Sequence, residues 1–273
     1  MFKLLKSGLS RAKQNRVLFV LIIITIGIAL FFVINNLKFR NTDTLDKALL
    51  NYINIVGIFI AMFTSLFIGA EYEYGTIRNK IIVGHSRINI YFSNLIISIL
   101  AGIVLEIVYI LTIVLFGVLL HFKFELSFMQ YAILLLEIIF VISSFSSVFT
   151  LISFAFSNVT FSTSAGMLIF LGFYIICTNL AYPVNMPEYI TNSYYDEQGI
   201  EHITESIVNP NYPSKEKMFI YKNIYYAIPA GQALEITAKV EEVDTFNLIL
   251  YSIGSIFVVN IIGVFIFNKT ELN

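Results

Sequence analysis

Long apolar runs separated by short polar ones set the pattern of this chain. Six such runs, at about 17–35, 52–70, 92–120, 131–156, 162–181 and 246–267, each approach or exceed the roughly 18 apolar residues that carry a helix across a bilayer. None alternates residue by residue as a barrel strand does. The pattern predicts an all-α integral membrane protein, a bundle of six transmembrane helices. The first run follows a basic leader, but it is too long for a signal-peptide core and ends in FFVINNLKF without a small-residue cleavage site. It is expected to stay in the mature protein.

The polar stretches divide the rest. Residues 1–16, MFKLLKSGLSRAKQNR, repeat Phe2, Leu5 and Leu9 at helical spacing opposite Lys3, Lys6, Ser10 and Lys13. That is the pattern of an amphipathic helix lying in the headgroup region, although a basic leader that only sets topology would read the same. A segment at 71–90 separates runs two and three, and a long one at 182–245 separates runs five and six. The expected layout is therefore an interfacial helix at 1–16, five spans within 17–181, an extracytoplasmic insertion at 182–245, and the sixth span with a short tail at 246–273.

Charge gives the orientation. With the N-terminus inside, nine cations (Lys3, Lys6, Arg11, Lys13, Arg16, Arg78, Lys80, Arg87 and Lys269) lie on the inner side, against four (Lys38, Arg40, Lys47 and Lys123) in the short outer loops. Positive-inside bias then places both termini in the cytoplasm of a multi-pass cell-membrane protein. The 182–245 segment has ten acids against four lysines, and long loops cross regardless of charge. Tyr52, Tyr72, Tyr74, Tyr91 and Tyr131 fall where interfacial aromatics are expected in a chain without Trp.

Composition agrees: 58% of the 273 residues are hydrophobic and 13% charged, with mean hydropathy +0.81, well outside the range of a soluble domain. A net charge of −1 supplies no basic stripe for nucleic acid. The single cysteine, Cys177, forms no intrachain disulfide and reads as a small buried hydrophobe. No G-x-x-x-x-G-K-[ST] loop, H-E-x-x-H, C-x-x-C or G-x-S-x-G occurs, so nothing in the sequence marks a nucleotide cradle, a zinc hydrolase or a serine hydrolase. No enzymatic activity and no cofactor of its own are expected of the chain.

EYEYGTIRNKIIVGHSR, residues 71–87, has the marks of a short helix along a membrane face. Thr76 can cap its start, Ile77, Ile81 and Ile82 form an apolar stripe, and Gly84 can take a left-handed turn at its end. Ser86 can cap the following span. The polar side carries Arg78, Asn79 and Lys80, with Glu71 and Glu73 at the exit of span two. On these residues alone, an ordinary loop whose charges fix topology fits equally well.

The order Glu, Gly-Thr-Ile-Arg, Ser-Arg between spans two and three resembles the coupling segment in permease subunits of type-2 ABC exporters. The rest of the chain is similar in layout rather than in letters, and IPAGQALEI resembles a Pro-Gly-Gln turn of that family. The resemblance implies that Glu71, Glu73, Gly75, Thr76, Arg78, Lys80 and Arg87 couple the chain to ATPase motion. It implies an elbow helix before span one and partners in the form of two copies of an ATP-binding subunit, which would hold ATP and magnesium. A second permease copy or a sister permease completes such an assembly. It also suggests alternating access with antimicrobial peptides or drugs as substrates. The rival reading is an ion-coupled secondary transporter using intramembrane carboxylates.

Those carboxylates are Glu106 and Glu137, the acids within the spans. A charge at mid-bilayer costs about 2.5–3.5 kcal/mol on insertion scales, so each should face the bundle interior, be protonated or meet a polar partner. They are candidates for the substrate path, or neutral acids bonded to a neighbouring helix. Ser143, Ser144, Ser146, Ser147 and Ser153 suit close helix packing.

In the 182–245 segment we expect a turn at Asp196–Gly199, a helix capped by Ser214 running to about Ala227, and another from about Ala230 to Val240. YITNSYY is β-prone, and GIEHITESIV fits helix or strand. Asp196, Glu197, Glu201, His202 and Glu205 are close enough to suggest a metal site, but a lone histidine among spread acids favours a solvated acidic surface, so no metal is expected.

Overall fold

The computed structural model describes residues 1–39, 45–191, 193–195, 201–203, 206–238 and 245–270. The protein is an all-α membrane protein, with six helices long and apolar enough to cross a bilayer. In chain order the helices are α1 (Phe2–Lys13), α2 (Arg16–Phe39), α3 (Asp46–Leu50), α4 (Ile53–Glu73), α5 (Thr76–Ile82), α6 (Arg87–Leu119), α7 (Phe128–Ala155), α8 (Val159–Val184), α9 (Lys215–Ala227), α10 (Pro229–Ala238) and α11 (Thr245–Lys269). The long ones outreach the apolar runs because polar caps extend them. Asn15 accepts from the Val17 and Leu18 amides at the start of α2, Ser86 accepts from Asn89 N–H at α6, and Ser127 and Gln130 form a reciprocal capping box at α7.

The membrane helices alternate in direction around α4 and α7, whose apolar windows are 67% and 56% buried, against 33% or less for the other four. Helix α4 packs on α6, α7 and α8, while α11 packs on α7 and α2 on α6. Small residues allow this. A Cβ on Gly57 would lie 2.6 Å from Phe170, and one on Gly69 2.7 Å from Val159. Three of the five serines named in α7 join helices: Ser144 meets Ser255 at 2.8 Å, Ser147 accepts from Asn260 at 2.9 Å, and Ser153 bonds Ser65 at 3.3 Å, whereas Ser143 bonds the Ile139 carbonyl of its own helix.

At one end of the bundle lie α1, α5, the start of α6 and the last turn of α11. At the other end are α3, α9, α10 and the short strands β1 (Tyr189–Ile190), β2 (Ser193–Tyr195), β3 (Glu201–Ile203) and β4 (Ile207–Val208). The strands pair antiparallel, β1 with β4 and β2 with β3, so GIEHITESIV resolves towards strand. Ser214 caps α9, accepting from Lys217 N–H. Helix α10 begins at Pro229, a residue preorganised for the first helical turn, and is buried against α8, α7 and α4. Its Gln232 accepts from Ser252 at 2.6 Å and donates to the Tyr226 carbonyl at 2.6 Å. The expected turn at Asp196–Gly199 and the side chains of Asp196, Glu197, Glu201, His202 and Glu205 lie outside the described residues, as do Arg40 and the side chain of Lys38. Among the described residues no group of acids, histidines or cysteines is arranged to hold a metal.

Helix α1 docks on α6 through Leu4, Gly8 and Ala12, a contact the amphipathic pattern does not specify, and Phe2 is 81% exposed. Two expectations are corrected. Tyr52 and Tyr91 are fully buried rather than interfacial. Tyr52 stacks on Tyr109 with ring centroids 4.6 Å apart and bonds Thr25 at 2.6 Å. Thr76 is the first residue of α5 rather than its cap; Gly75 precedes it in the left-handed region at φ 63°.

Candidate functional site

Glu71 closes the last turn of α4 and is completely buried. Three side chains from three other helices converge on its carboxylate. Arg11 of α1 donates through Nη2 to Oε1. Lys80 of α5 donates to the same oxygen at 2.5 Å, and Asn94 of α6 donates to Oε2 at 3.2 Å. Two cations and an amide offset the cost of burying a carboxylate. Arg11 also lies over the Phe67 ring at 4.9 Å. Thr76 Oγ1 donates to the Glu71 carbonyl at 3.0 Å, which fastens the turn into α5. The ammonium of Lys80 has its pKa lowered from the usual lysine value, first by burial and then by the positive charge of Arg11, with Glu71 pulling the other way.

Helix α5 is thereby held to the bundle along one side. Ile77 is buried and Ile81 half-buried, whereas Ile82, five residues beyond Ile77 and so turned well off that stripe, is 72% exposed. Arg78, Asn79, Ile82, Val83 and, before the helix, Glu73 and Tyr74 form an exposed face of mixed character. Arg78 has no carboxylate partner among the described residues. Gly84 takes φ 93° at the exit, the left-handed turn expected of it.

Arg87 does something else. Its guanidinium donates to the carbonyls of Phe267 and Thr270 at 2.5 and 2.7 Å and lies over the Phe267 ring. It caps the C-terminal end of α11, where a cation complements the exposed carbonyls and the dipole.

Of the seven coupling candidates, the structure gathers Glu71, Thr76 and Lys80 into one bonded cluster with Gly75 as its hinge, leaves Glu73 and Arg78 at the surface, and turns Arg87 towards α11. Arg11 and Asn94 escaped the sequence reading because they lie 60 and 23 residues from Glu71. The available signal was the Gly8-x-x-x-Ala12 spacing, which lets a helix come close to its neighbour.

Glu106 lies three turns along α6 from Asn94, about 18 Å at helical rise. It is buried, neither carboxylate oxygen has a hydrogen-bond partner among the described residues, and it interacts electrostatically with Tyr52 and Tyr109. Glu137 of α7 is buried too. At the far end Asp46, absent from the candidates named above, accepts from the Tyr131 hydroxyl and from the Glu125 amide at 3.1 Å, joining α3 to α7 and to the loop before it.

No family model matches the chain, and no curated protein is significantly similar to it.

Proposed function

We propose that this chain is the membrane permease of an ABC exporter, with both termini in the cytoplasm, driven by two copies of a separate ATP-binding subunit and completed by a second permease. The observation that carries this reading is the fixing of α5. A seven-residue helix at a bundle end is tied through one buried carboxylate to α1, α4 and α6, while its Arg78, Ile82 and Val83 face is left open. Push on that face, and the load passes into three helices at once.

On this reading α1 is the interfacial elbow helix, residues 182–245 form the extracytoplasmic insertion, and antimicrobial peptides or drugs are the cargo, drawn by the acidic outer segment. The test is co-purification of a candidate ATP-binding subunit with wild type, Arg78→Glu and Ile82→Asp. Wild type should retain the ATPase and each variant lose it by about tenfold, the scale of one interfacial contact. A wild-type chain that retains none overturns the proposal.

The unpartnered Glu106 favours a second reading, an ion-coupled transporter in which this carboxylate takes up and releases a cation or proton. Substrate uptake that follows an ion gradient without ATP, and is lost in Glu106→Gln, would select it.

A further inference from the structure

Helices α1 and α5 do not meet flush. Between them, at the end of the bundle where α2 enters the bilayer, lies a cleft of about 380 Å³, room for on the order of ten waters at about 30 Å³ each. Lys3, Ser7 and Arg11 line it from α1, and Asn79, Lys80 and His85 from α5 and the turn that follows. No acid lines it. The nearest carboxylate, Glu71, is buried behind Arg11 and Lys80 and engaged by both. Among the described residues Lys3 has no carboxylate partner, so three cations face one anion.

Depth narrows what can fill the cleft. Phe2, beside Lys3, is 81% exposed, and Met1 is exposed as well, yet α1 packs its Leu4 face on α6 just ahead of the first membrane helix. An exposed phenyl ring next to lysines at the end of a membrane bundle belongs at the boundary of acyl chains and headgroups. An anion here meets two ammonium groups, a guanidinium, a hydroxyl and an amide, donors that suit the tetrahedral oxygens of a phosphate.

We infer that the α1–α5 cleft binds a phosphate group, supplied by an anionic phospholipid headgroup or by free phosphate, which bridges the two helices. This does not depend on the exporter reading; it requires only that α1 lies at a membrane face.

The test uses the purified full-length chain in neutral detergent at 0.15 M salt, with native mass spectrometry counting adducts as phosphatidylglycerol, phosphatidylcholine or inorganic phosphate is added. Phosphatidylglycerol should bind about tenfold more tightly than phosphatidylcholine, and Lys3→Glu should remove most of that preference, given about 1 kcal/mol per lysine near an anionic surface. Lys6→Glu changes the same charge on the same helix outside the cleft and should alter binding less than about twofold; Lys3→Arg should retain it. Competition by millimolar phosphate would identify free phosphate as a source, and its absence the lipid headgroup. Equal binding of the two lipids, or equal loss in Lys3→Glu and Lys6→Glu with both variants folded by circular dichroism, would overturn the assignment.

Discussion

Replacing Glu71 by Gln tests whether one carboxylate holds α1, α5 and α6 together. The amide keeps the volume but removes the charge, leaving Lys80 with a side chain 17% exposed and Arg11 at 38% exposed facing each other across a neutral group. Deleting one partner of a buried pair costs about 3–5 kcal/mol. Arg11 recovers part of its hydration, as a partly exposed ion does, so the lower end, about 3 kcal/mol, is expected. For a soluble domain of comparable length that is a fall of roughly 6–12 °C in Tm. Thermal unfolding in detergent, followed by size-exclusion survival, reads it directly. Lys80→Gln removes a cation instead and should cost less, since Glu71 keeps Arg11 and Asn94. The double variant should be less damaged than the two losses added together, with a coupling of about 1–3 kcal/mol. Strict additivity, or a loss under about 1 kcal/mol in Glu71→Gln, would show that the three contacts are incidental neighbours and would refute the argument.

A Cβ at Gly231 would collide with the carbonyl oxygen of Tyr225, which is backbone and cannot swing aside, so Gly231→Ala should lower stability by about 1–3 kcal/mol. Gly27→Ala, with nothing within 4 Å, should be neutral or slightly stabilising; equal Tm values for the two would contradict the packing of α10. Lys80 gives a pH dependence. Its folded pKa lies below the lysine value of 10.5, so as pH rises between those two points the unfolded chain binds more protons and this group's contribution to stability increases. Wild type should therefore gain on Lys80→Arg, which does not titrate there, over that alkaline window in parallel thermal melts, and a constant difference would contradict the shift.

The membrane helices were legible because their apolar runs are long, and Ser86 marked the start of α6; the caps at Asn15 and Ser127 appear only in the structure. The Ser214 cap and the helix before the last span were legible for the same local reasons. What the pattern left undecided was which apolar face meets protein. In α1, lipid and protein attract apolar residues alike at a bilayer surface, so the Phe2, Leu5 and Leu9 stripe leaves unspecified that Leu4, Gly8 and Ala12 make the protein contact. Tyr52 and Tyr91 misled similarly, since a tyrosine near a helix end serves an interface or a stacked core equally well. Glu71 and Lys80 stood out by their place in the motif, but Arg11 and Asn94 did not. Pairing across 60 residues leaves no local trace, and the same holds for Asp46 with Tyr131 and Arg87 with Phe267.

Those three long-range ties also impose an order on synthesis. Arg11 and Lys80 precede Asn94, so the first tie is complete only when α6 has begun to emerge. Asp46 waits for Tyr131 on α7. Arg87 waits longest, because the carbonyls it covers belong to Phe267 and Thr270. Until the last helix arrives, the nascent chain carries a cation at the head of α6 with its final acceptors unmade. A ribosome-stalled chain ending before Thr245 should therefore present α1, α4, α5 and α6 already tied at one end and α3 tied to α7 at the other, with an uncovered seam along α7 and α6 waiting for α11.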